Sequence, residues 1–342
     1  MSTATDGAYA DAMGADAYRP GTAVIRTFGW ISVTMAFAYV INNFLCFWLE
    51  WPGVFALIAE PRPTGTGLVL ALLQTALFVL SIVLAIVFVT RSPSRNLRAD
   101  AMAMAAIANF VVRFAFWSVL LIGLVDAVIS FLRVEALADQ LLGAELGTEL
   151  GRSRFRGPFV HAPMLIVALV IAARSRSLGF HWLALLVVLA ELGIVLSRFV
   201  FSYEQAFQGD LVRFWYGALF LFASAYTLFE DGHVRVDVLY AGFSDKTKGL
   251  INAIGAIFLG LLLCWTIMIL GMWNQSSIIN SPLLAYEVSQ SGFGMYVKYW
   301  MAGFLAIFAV TMCVQFTSCV LESIANYRQE PGAREIAPSA AA

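Results

Sequence analysis

Charged side chains are scarce in this sequence. Of its 342 residues only 13% are charged, whereas 61% are hydrophobic and the mean hydropathy is +0.81. Soluble domains carry about 25% charged residues, and a water-soluble core cannot bury such an apolar excess. The formal net charge of −1 gives no attraction for a polyanion, so no nucleic-acid partner is expected. The composition therefore predicts an integral membrane protein whose solvent is lipid.

Cysteine and histidine are also rare, and their positions argue against several kinds of site. The cysteines lie inside apolar runs without a CxxC pair, which is typical of small core residues rather than of disulfides or metal ligands. The histidines do not form the facing pair at matched depth that a membrane haem needs. The cysteines are Cys46, Cys264, Cys313 and Cys319, and the histidines are His161, His181 and His233.

Motifs of several enzyme and carrier classes are absent as well. The sequence contains no HExxH, GxSxG or GxxxxGK[ST]. It also lacks the inverted repeat with interrupted helices that a self-sufficient secondary carrier tends to show. We therefore expect a membrane scaffold that is not an enzyme and that holds no cofactor.

Long apolar runs predict an all-α fold with about eight transmembrane helices. A helix needs about 20 apolar residues to cross a hydrocarbon core of about 30 Å. Residues 1–25 are rich in Ala, Asp and Gly, so we expect a loosely ordered tail and no cleavable signal peptide. The runs are 27–49, 68–89, 101–132, 158–173, 181–202, 212–229, 249–273 and 296–322.

An even number of spans places both termini on one side of the membrane. The short loops on that side are rich in Arg and Lys, which predicts cytoplasmic termini by the positive-inside rule. The link 134–156 on the opposite side carries three arginines, but its acidic residues offset them. The basic loop residues are Arg91, Arg95, Arg98, Arg174, Arg176, Arg235, Lys246, Lys248, Arg328 and Arg334.

Charges inside the spans need partners. The run 101–132 is too long for a simple crossing, about 48 Å as a helix, and it carries Arg113 and Asp126. Such charges are costly in lipid and usually face protein or reach the interface. Glu191 and Arg198 share one helix face but lie about 10 Å apart along the axis. We expect each of these two to meet a partner on another helix or at the interface.

Three polar stretches outside the spans have their own patterns. The piece 203–213 has an apolar side, Phe207 and Leu211, and is suited to lying flat at the interface. Leucines at helical spacing among Asp and Glu predict an amphipathic surface helix near 134–151. In the connector 233–240, period-two alternation places His233, Arg235 and Asp237 on one side and valines on the other. This connector is suited to packing against another surface, and it also fits a half-buried link beneath its own helices.

Four patterns follow one another in the second half of the chain. A helix end at Arg198-Phe199 precedes Phe207-x-x-Asp210-Leu211, a helix from Trp215 to Leu228, and His233-x-Arg235-x-Asp237-x-x-Tyr240. In this order, from about Leu183 to Asn326, they resemble the small membrane subunit of tripartite ATP-independent periplasmic (TRAP) transporters, the DctQ-type family. Phe207 and Asp210 stand where that family has Trp and Glu, which are conservative changes.

The resemblance implies an architecture and a function. Residues 179–328 would be a DctQ-like four-helix core, 1–178 an extension of about four more helices outside the resemblance, and 329–342 a polar tail. In such transporters a periplasmic binding protein delivers a solute, commonly an organic acid, and a large permease subunit moves it by sodium symport. The small subunit docks on the large one in the bacterial inner membrane. It would bind neither solute nor sodium.

The resemblance also implies roles for individual residues. The polar residues of the 233–240 connector would set its cytoplasmic contacts, Arg198 would anchor a helix end at the outer interface, and Asp210 would lie on the outer surface near the binding protein. The residues expected at the subunit interface or in this structural motif are Arg198, Phe207, Asp210, His233, Arg235, Asp237 and Tyr240.

Other hypotheses remain for the chain and for its extension. The chain can be a stand-alone membrane scaffold or assembly protein without a transport role, or a membrane enzyme or redox subunit, which the missing ligands disfavour. The extension can widen the scaffold, add a surface for lipid or a partner, or carry a dimer contact. Ala101, Ala105 and Ala108 have a small-residue spacing that allows another helix to pack closely, either a helix of this chain or a helix of a partner.

Overall fold

Every regular element in the described part of the chain is a helix. The computed structural model describes residues 20–176, 180–203, 205–230, 239–288 and 294–333. Eight of its helices are long and apolar enough to cross a membrane. The predicted all-α integral membrane fold is confirmed, and so is the number of spans.

The helices are numbered in chain order. They are α1 (Thr22–Trp48), α2 (Thr66–Arg91), α3 (Leu97–Val134), α4 (Ala138–Leu142), α5 (Ala144–Leu150), α6 (Ser153–Arg174), α7 (Phe180–Phe201), α8 (Ala206–Phe229), α9 (Asp245–Met272), α10 (Asn280–Ala285) and α11 (Lys298–Tyr327). The short helices are α4, α5 and α10, and the other eight are the candidate spans. Single 3₁₀ turns occur at Val54–Leu57 and Tyr240–Gly242.

The longest helix, α3, goes well beyond one bilayer crossing. Its 38 residues extend about 57 Å, longer than the 101–132 run predicts, against a hydrocarbon core of about 30 Å. Two acids of this helix are buried, Asp100 near its start and Asp126 eight residues before its end. Both are therefore surrounded by protein.

Two spans contain a π-helical turn. In α6 it covers Gly157–His161, directly after Arg156, and in α9 it covers Ala256–Leu261. A π-turn closes i→i+5 hydrogen bonds, and it changes which residues share a helix face. At Gly157 the ring of Tyr286 occupies the space that a Cβ atom would need, so this turn approaches its neighbour closely.

The chain divides into two compact units, and each combines early and late segments. The first unit consists of 1–108, 227–269 and 312–342, and the second of 109–226 and 270–311. The division into an extension (1–178), a core (179–328) and a tail (329–342) stays a prediction.

The core of the first unit is formed by α1, α3 and α11. Its buried residues include Val33, Leu97, Met104 and Leu321. Three small residues of α3 are buried here, and the hydroxyl of Ser318 donates to the carbonyl of Ala101 at 2.7 Å. These three, Ala101, Ala105 and Ala108, are at most 3% exposed. Their spacing therefore serves packing within the chain.

The core of the second unit is aromatic. The ring of Phe304 lies 5.2 Å from that of Phe214 and 5.0 Å from that of Phe222, between ring centroids. The indole of Trp215 donates to the carbonyl of Val119 at 3.3 Å. This indole covers Gly123, where no side chain fits. Trp215 thus holds α8 against α3, and Phe214 packs α8 against α11.

Two predicted details of the polar stretches are wrong. The single surface helix near 134–151 is two short helices, α4 and α5, because Gly143 between them has φ 86° and ψ 150°, which is not helical. The short interfacial piece at 203–213 is not separate either. Residues from Ala206 onward are the first turns of α8, since no proline interrupts them before Phe229.

Candidate functional site in two buried polar clusters

The second unit contains a buried carboxylate whose oxygens are both engaged. Arg156 Nη1 donates to Asp126 Oδ1 at 2.7 Å, and His161 Nε2 lies 3.1 Å from the same oxygen. The backbone N–H of Tyr296 donates to Oδ2 at 2.8 Å. The side chains of Asp126, Arg156 and His161 are all 0% exposed. We call these residues, with Tyr299, the Asp126 cluster.

The π-turn of α6 explains how two cluster residues reach one carboxylate. Arg156 and His161 are five positions apart, and an ordinary α-helix would turn them well away from each other. The i→i+5 closure of the π-turn between them brings both toward α3. The Nε of Arg156 donates to the carbonyl of Leu150 at 2.6 Å, which ties the end of α5 to the same point.

Aromatic groups from the start of α11 complete the Asp126 cluster. The indole N–H of Trp300 donates to His161 Nδ1 at 3.1 Å, and the hydroxyl of Tyr299 lies 2.5 Å from that nitrogen. Because an indole N–H can only donate, Nδ1 is an acceptor and the imidazole proton is on Nε2, where it is donated to Asp126. The guanidinium of Arg156 lies 4.3 Å from the ring centre of Tyr296.

This arrangement is suited to holding helices together. The carboxylate of Asp126 already accepts from a guanidinium, an imidazole and a backbone amide, so its hydrogen-bonding capacity is satisfied within the chain. Asp126 and His161 come from segments before residue 178, whereas Tyr296 and Tyr299 come from segments after it. The cluster therefore joins the predicted extension to the predicted core.

A second buried cluster, the Asp100 cluster, lies in the first unit. Asp100 is 0% exposed and accepts from Arg26 Nε at 2.6 Å and from Arg95 Nε at 2.7 Å. Arg26 also donates to the carbonyl and the hydroxyl of Ser92, each at 2.8 Å. The start of α1, the end of α2 and the start of α3 are thereby held at one point.

Beside the Asp100 cluster, Arg98 binds the end of α11. It pairs with Glu322, donates to Asn326 Oδ1 at 2.9 Å, and donates to the carbonyls of Glu330 at 2.8 Å and Pro331 at 3.0 Å. Here again a residue before position 178 is bound by residues after it. Arg98 is one of the arginines that predict a cytoplasmic loop, and its guanidinium is engaged by protein oxygens.

A cavity of about 460 Å³ opens in the second unit, between the start of α8, α10 and the start of α11. Asp210 at its wall accepts from the backbone N–H of Met295 at 3.2 Å and from Arg213 at 3.3 Å. Glu287 and Lys298 form an ion pair at the same cavity. Its two acids and two bases are thus paired with each other, and their charges offset one another at the cavity wall.

The residues of the predicted interface motif fall in different surroundings. His233, Arg235 and Asp237 lie outside the described residues. Tyr240 exchanges hydrogen bonds with the amide of Asn252 at 3.1 and 2.8 Å, so it is tied to the start of α9. Phe207 is buried, whereas Arg198 is exposed near the end of α7. The assignment of these residues to a subunit interface stays a prediction.

Arg113 in the middle of α3, unlike the clustered arginines, forms no ion pair with any residue in the described ranges. Its guanidinium lies 5.9 Å from the ring centre of Phe110, and its Nε is buried without a hydrogen-bond partner. Asn109 Oδ1 and Trp117 Nε1, one turn before and one turn after, are likewise buried and unpartnered. These three positions form one polar stripe at helical spacing.

Arg26 and Ser92 were missed by sequence reasoning. Arg26 directly precedes the first predicted run, where a single arginine is typical of an interface residue. Its partner Asp100 is 74 positions away, and only the packing of α1 against α3 brings them together. The available signal was that Asp100 and Arg26 flank apolar runs on the same predicted side of the membrane.

One comparison with known proteins identifies part of the chain. Residues 183–326 match the family described as "Tripartite ATP-independent periplasmic transporters, DctQ component". The matched range contains α8, α9 and α10 and most of α7 and α11. Searches of curated proteins and of solved structures gave no significant match.

Proposed function

We infer that the chain is the small permease subunit of a sodium-driven solute symporter, because residues 183–326 match the DctQ component of TRAP transporters. The family is a transporter component and not an enzyme family. The observation that carries the inference is the family match across four apolar spans, α7, α8, α9 and α11.

The subunit's role in this proposal is that of a scaffold. Its large partner, the permease subunit, moves the solute and couples it to sodium, while a periplasmic binding protein delivers the solute, which we take to be an organic acid. The buried clusters support the scaffold role, because Asp126 and Asp100 are fully engaged in holding helices together. Neither carboxylate is left to bind a cation.

The extension belongs to the same scaffold in this proposal. Arg98 and Asp126 contribute to contacts with segments of the matched region, Glu322 and Tyr296 respectively. Such contacts support an extension that is an integral part of the scaffold rather than one that is loosely attached to it. We place the chain in the bacterial inner membrane as a multi-pass protein with both termini in the cytoplasm.

The experiment that tests the proposal is co-purification followed by transport. The tagged chain is purified in mild detergent from its native cells, and co-purifying proteins are identified by mass spectrometry. We expect a multi-span permease subunit in roughly equal amount. The complex, reconstituted in vesicles with its binding protein, should then take up an organic acid only with an inward sodium gradient.

Two other results would contradict parts of this proposal. Recovery of the chain alone from several detergents would favour a stand-alone membrane scaffold. Uptake that persists with potassium in place of sodium would keep the subunit assignment but reject sodium symport.

A further inference from the structure

Helix α7 is the least buried span in the matched region. Only 6% of its most apolar 18-residue window is buried, against 33% for α8, 33% for α9 and 67% for α11. Leu183 is its one buried residue. Most of this helix is therefore free to contact lipid or another protein.

The middle of α7 carries an acid without a partner. Glu191 stands eleven positions after Phe180 and ten before Phe201, so it lies about 15 Å from either helix end, near the centre of the bilayer. Its side chain is exposed, and no residue in the described ranges forms a hydrogen bond or ion pair with it. The bilayer centre is the most costly depth for an ionised side chain, and acids found there usually pair with another group.

The residues around Glu191 have the spacing of a helix-packing seam. Ala184, Val188, Glu191, Val195 and Arg198 follow one another at intervals of four, three, four and three. Alternation of this kind places side chains along one line where a second helix packs at a shallow angle. We call these five residues the Glu191 seam. Val188 is 62% exposed and Val195 is 47% exposed, so the middle of the seam faces away from the rest of the described chain.

We propose that the Glu191 seam docks on a helix of the large permease subunit that carries Arg or Lys at mid-membrane, and that Glu191 forms an ion pair with it. The exposed carboxylate in the middle of α7 supports this occupant, because lipid chains offer no donor to a carboxylate at this depth whereas a basic side chain does. The proposal rests on the proposed function above, since it requires that the large subunit exists. It adds to that function the face of the chain and the group that hold the complex together.

The first test compares substitutions at Glu191 in the co-purified complex. Glu191→Leu and Glu191→Gln should each lower the recovered large subunit about three- to tenfold, the range that polar contacts between membrane helices contribute. Glu191→Lys should abolish recovery, because it places a like charge opposite the partner's base. Glu145→Gln, an exposed acid outside the spans, is the matched control and should leave recovery unchanged.

The two proposals fail in different ways in this experiment. If the unchanged chain recovers no large subunit, the proposed function is wrong and the docking proposal falls with it. If the unchanged chain recovers it and the three Glu191 variants do so equally well, only the docking proposal is wrong. Each variant is also run on a sizing column, so that a misfolded chain is recognised by its own aggregation.

A second measurement locates the surface without altering the acid. A photo-crosslinking amino acid at Val188 should form an adduct with the large subunit, whereas the same group at Leu84, 54% exposed on α2, should not. An adduct at Val188 with a second copy of this chain, or adducts with the large subunit only from Leu84, would overturn the proposal. The Arg or Lys of the crosslinked helix is then replaced by an acid and combined with Glu191→Lys. Restored recovery of the large subunit in this charge-swapped pair would identify the base that pairs with Glu191.

Discussion

Both oxygens of the Asp126 carboxylate are engaged, and this determines what its loss would do. Arg156 lies beside it with no exposed surface, so its guanidinium cannot turn to water. Removing one member of such a pair leaves the other charge buried and uncompensated, which is far more costly than the net contribution of the pair. The loss of stability therefore arises from the uncompensated charge itself rather than from the packing of the helices.

We therefore predict that Asp126→Ala destabilises the detergent-solubilised protein by about 3–5 kcal/mol, measured by thermal unfolding. The double variant Asp126→Leu with Arg156→Met should recover much of this loss, because no buried charge remains. Glu149→Ala is the control, since its pair with Arg152 is largely exposed and contributes at most about 1 kcal/mol. Equal losses in Glu149→Ala and Asp126→Ala would show that burial of the Asp126 pair has no special cost.

At the scale of a single helix, the π-turn of α6 depends on a residue without a side chain. At Gly157 the ring of Tyr286 fills the position of a Cβ atom. An alanine there must displace the ring or open the turn, and the turn is what aligns Arg156 with His161. Gly255, the residue before the π-turn of α9, has open space around the same position.

We predict that Gly157→Ala destabilises the protein by about 1–3 kcal/mol through overpacking, whereas Gly255→Ala is neutral or stabilising by up to about 1 kcal/mol because alanine favours helix. Thermal unfolding of both variants in the same detergent checks this. A Gly157→Ala protein as stable as the Gly255→Ala protein would mean that the Tyr286 ring gives way freely.

The sequence predicts the spans well, because a helix in lipid must satisfy its own backbone and present apolar side chains over a known length. The sequence predicts less well those features that depend on a local backbone conformation or on a partner far away in the chain. Nothing in the leucine spacing of 134–151 reveals that Gly143 takes a non-helical conformation. The candidate site was predicted only in part. Asp126 was expected to face a protein partner rather than lipid. Arg156 and His161 reach it through a π-turn, which no residue pattern in the sequence predicts.

At the scale of the whole molecule, the predicted extension and core are joined by buried polar contacts. Within the first unit Arg98 binds Glu322, and within the second Asp126 binds the backbone of Tyr296. Neither segment can satisfy these groups by itself. A chain cut between them should therefore reassemble from its two pieces.

We predict that fragments 1–178 and 179–342, expressed together with a tag on one, co-purify as a stable pair. Expressed alone, 179–342 should accumulate at a clearly lower level, because Tyr299 and Glu322 then lack their partners. The level of each fragment, with and without the other, is measured by immunoblot of membranes. Independent accumulation of both fragments without co-purification would show that the polar contacts do not hold them together.

The hydrogen bonds of Arg98 also have a consequence for how the protein is made. Its partners Glu322, Asn326, Glu330 and Pro331 lie 224 to 233 positions further along the chain. At a translation rate of about 5–20 residues per second, roughly 11 to 45 seconds pass between synthesis of this arginine and of its first partner. Throughout that interval the guanidinium has only water and the earlier part of the chain as partners, so its native hydrogen bonds form only when the last residues of the chain have been made.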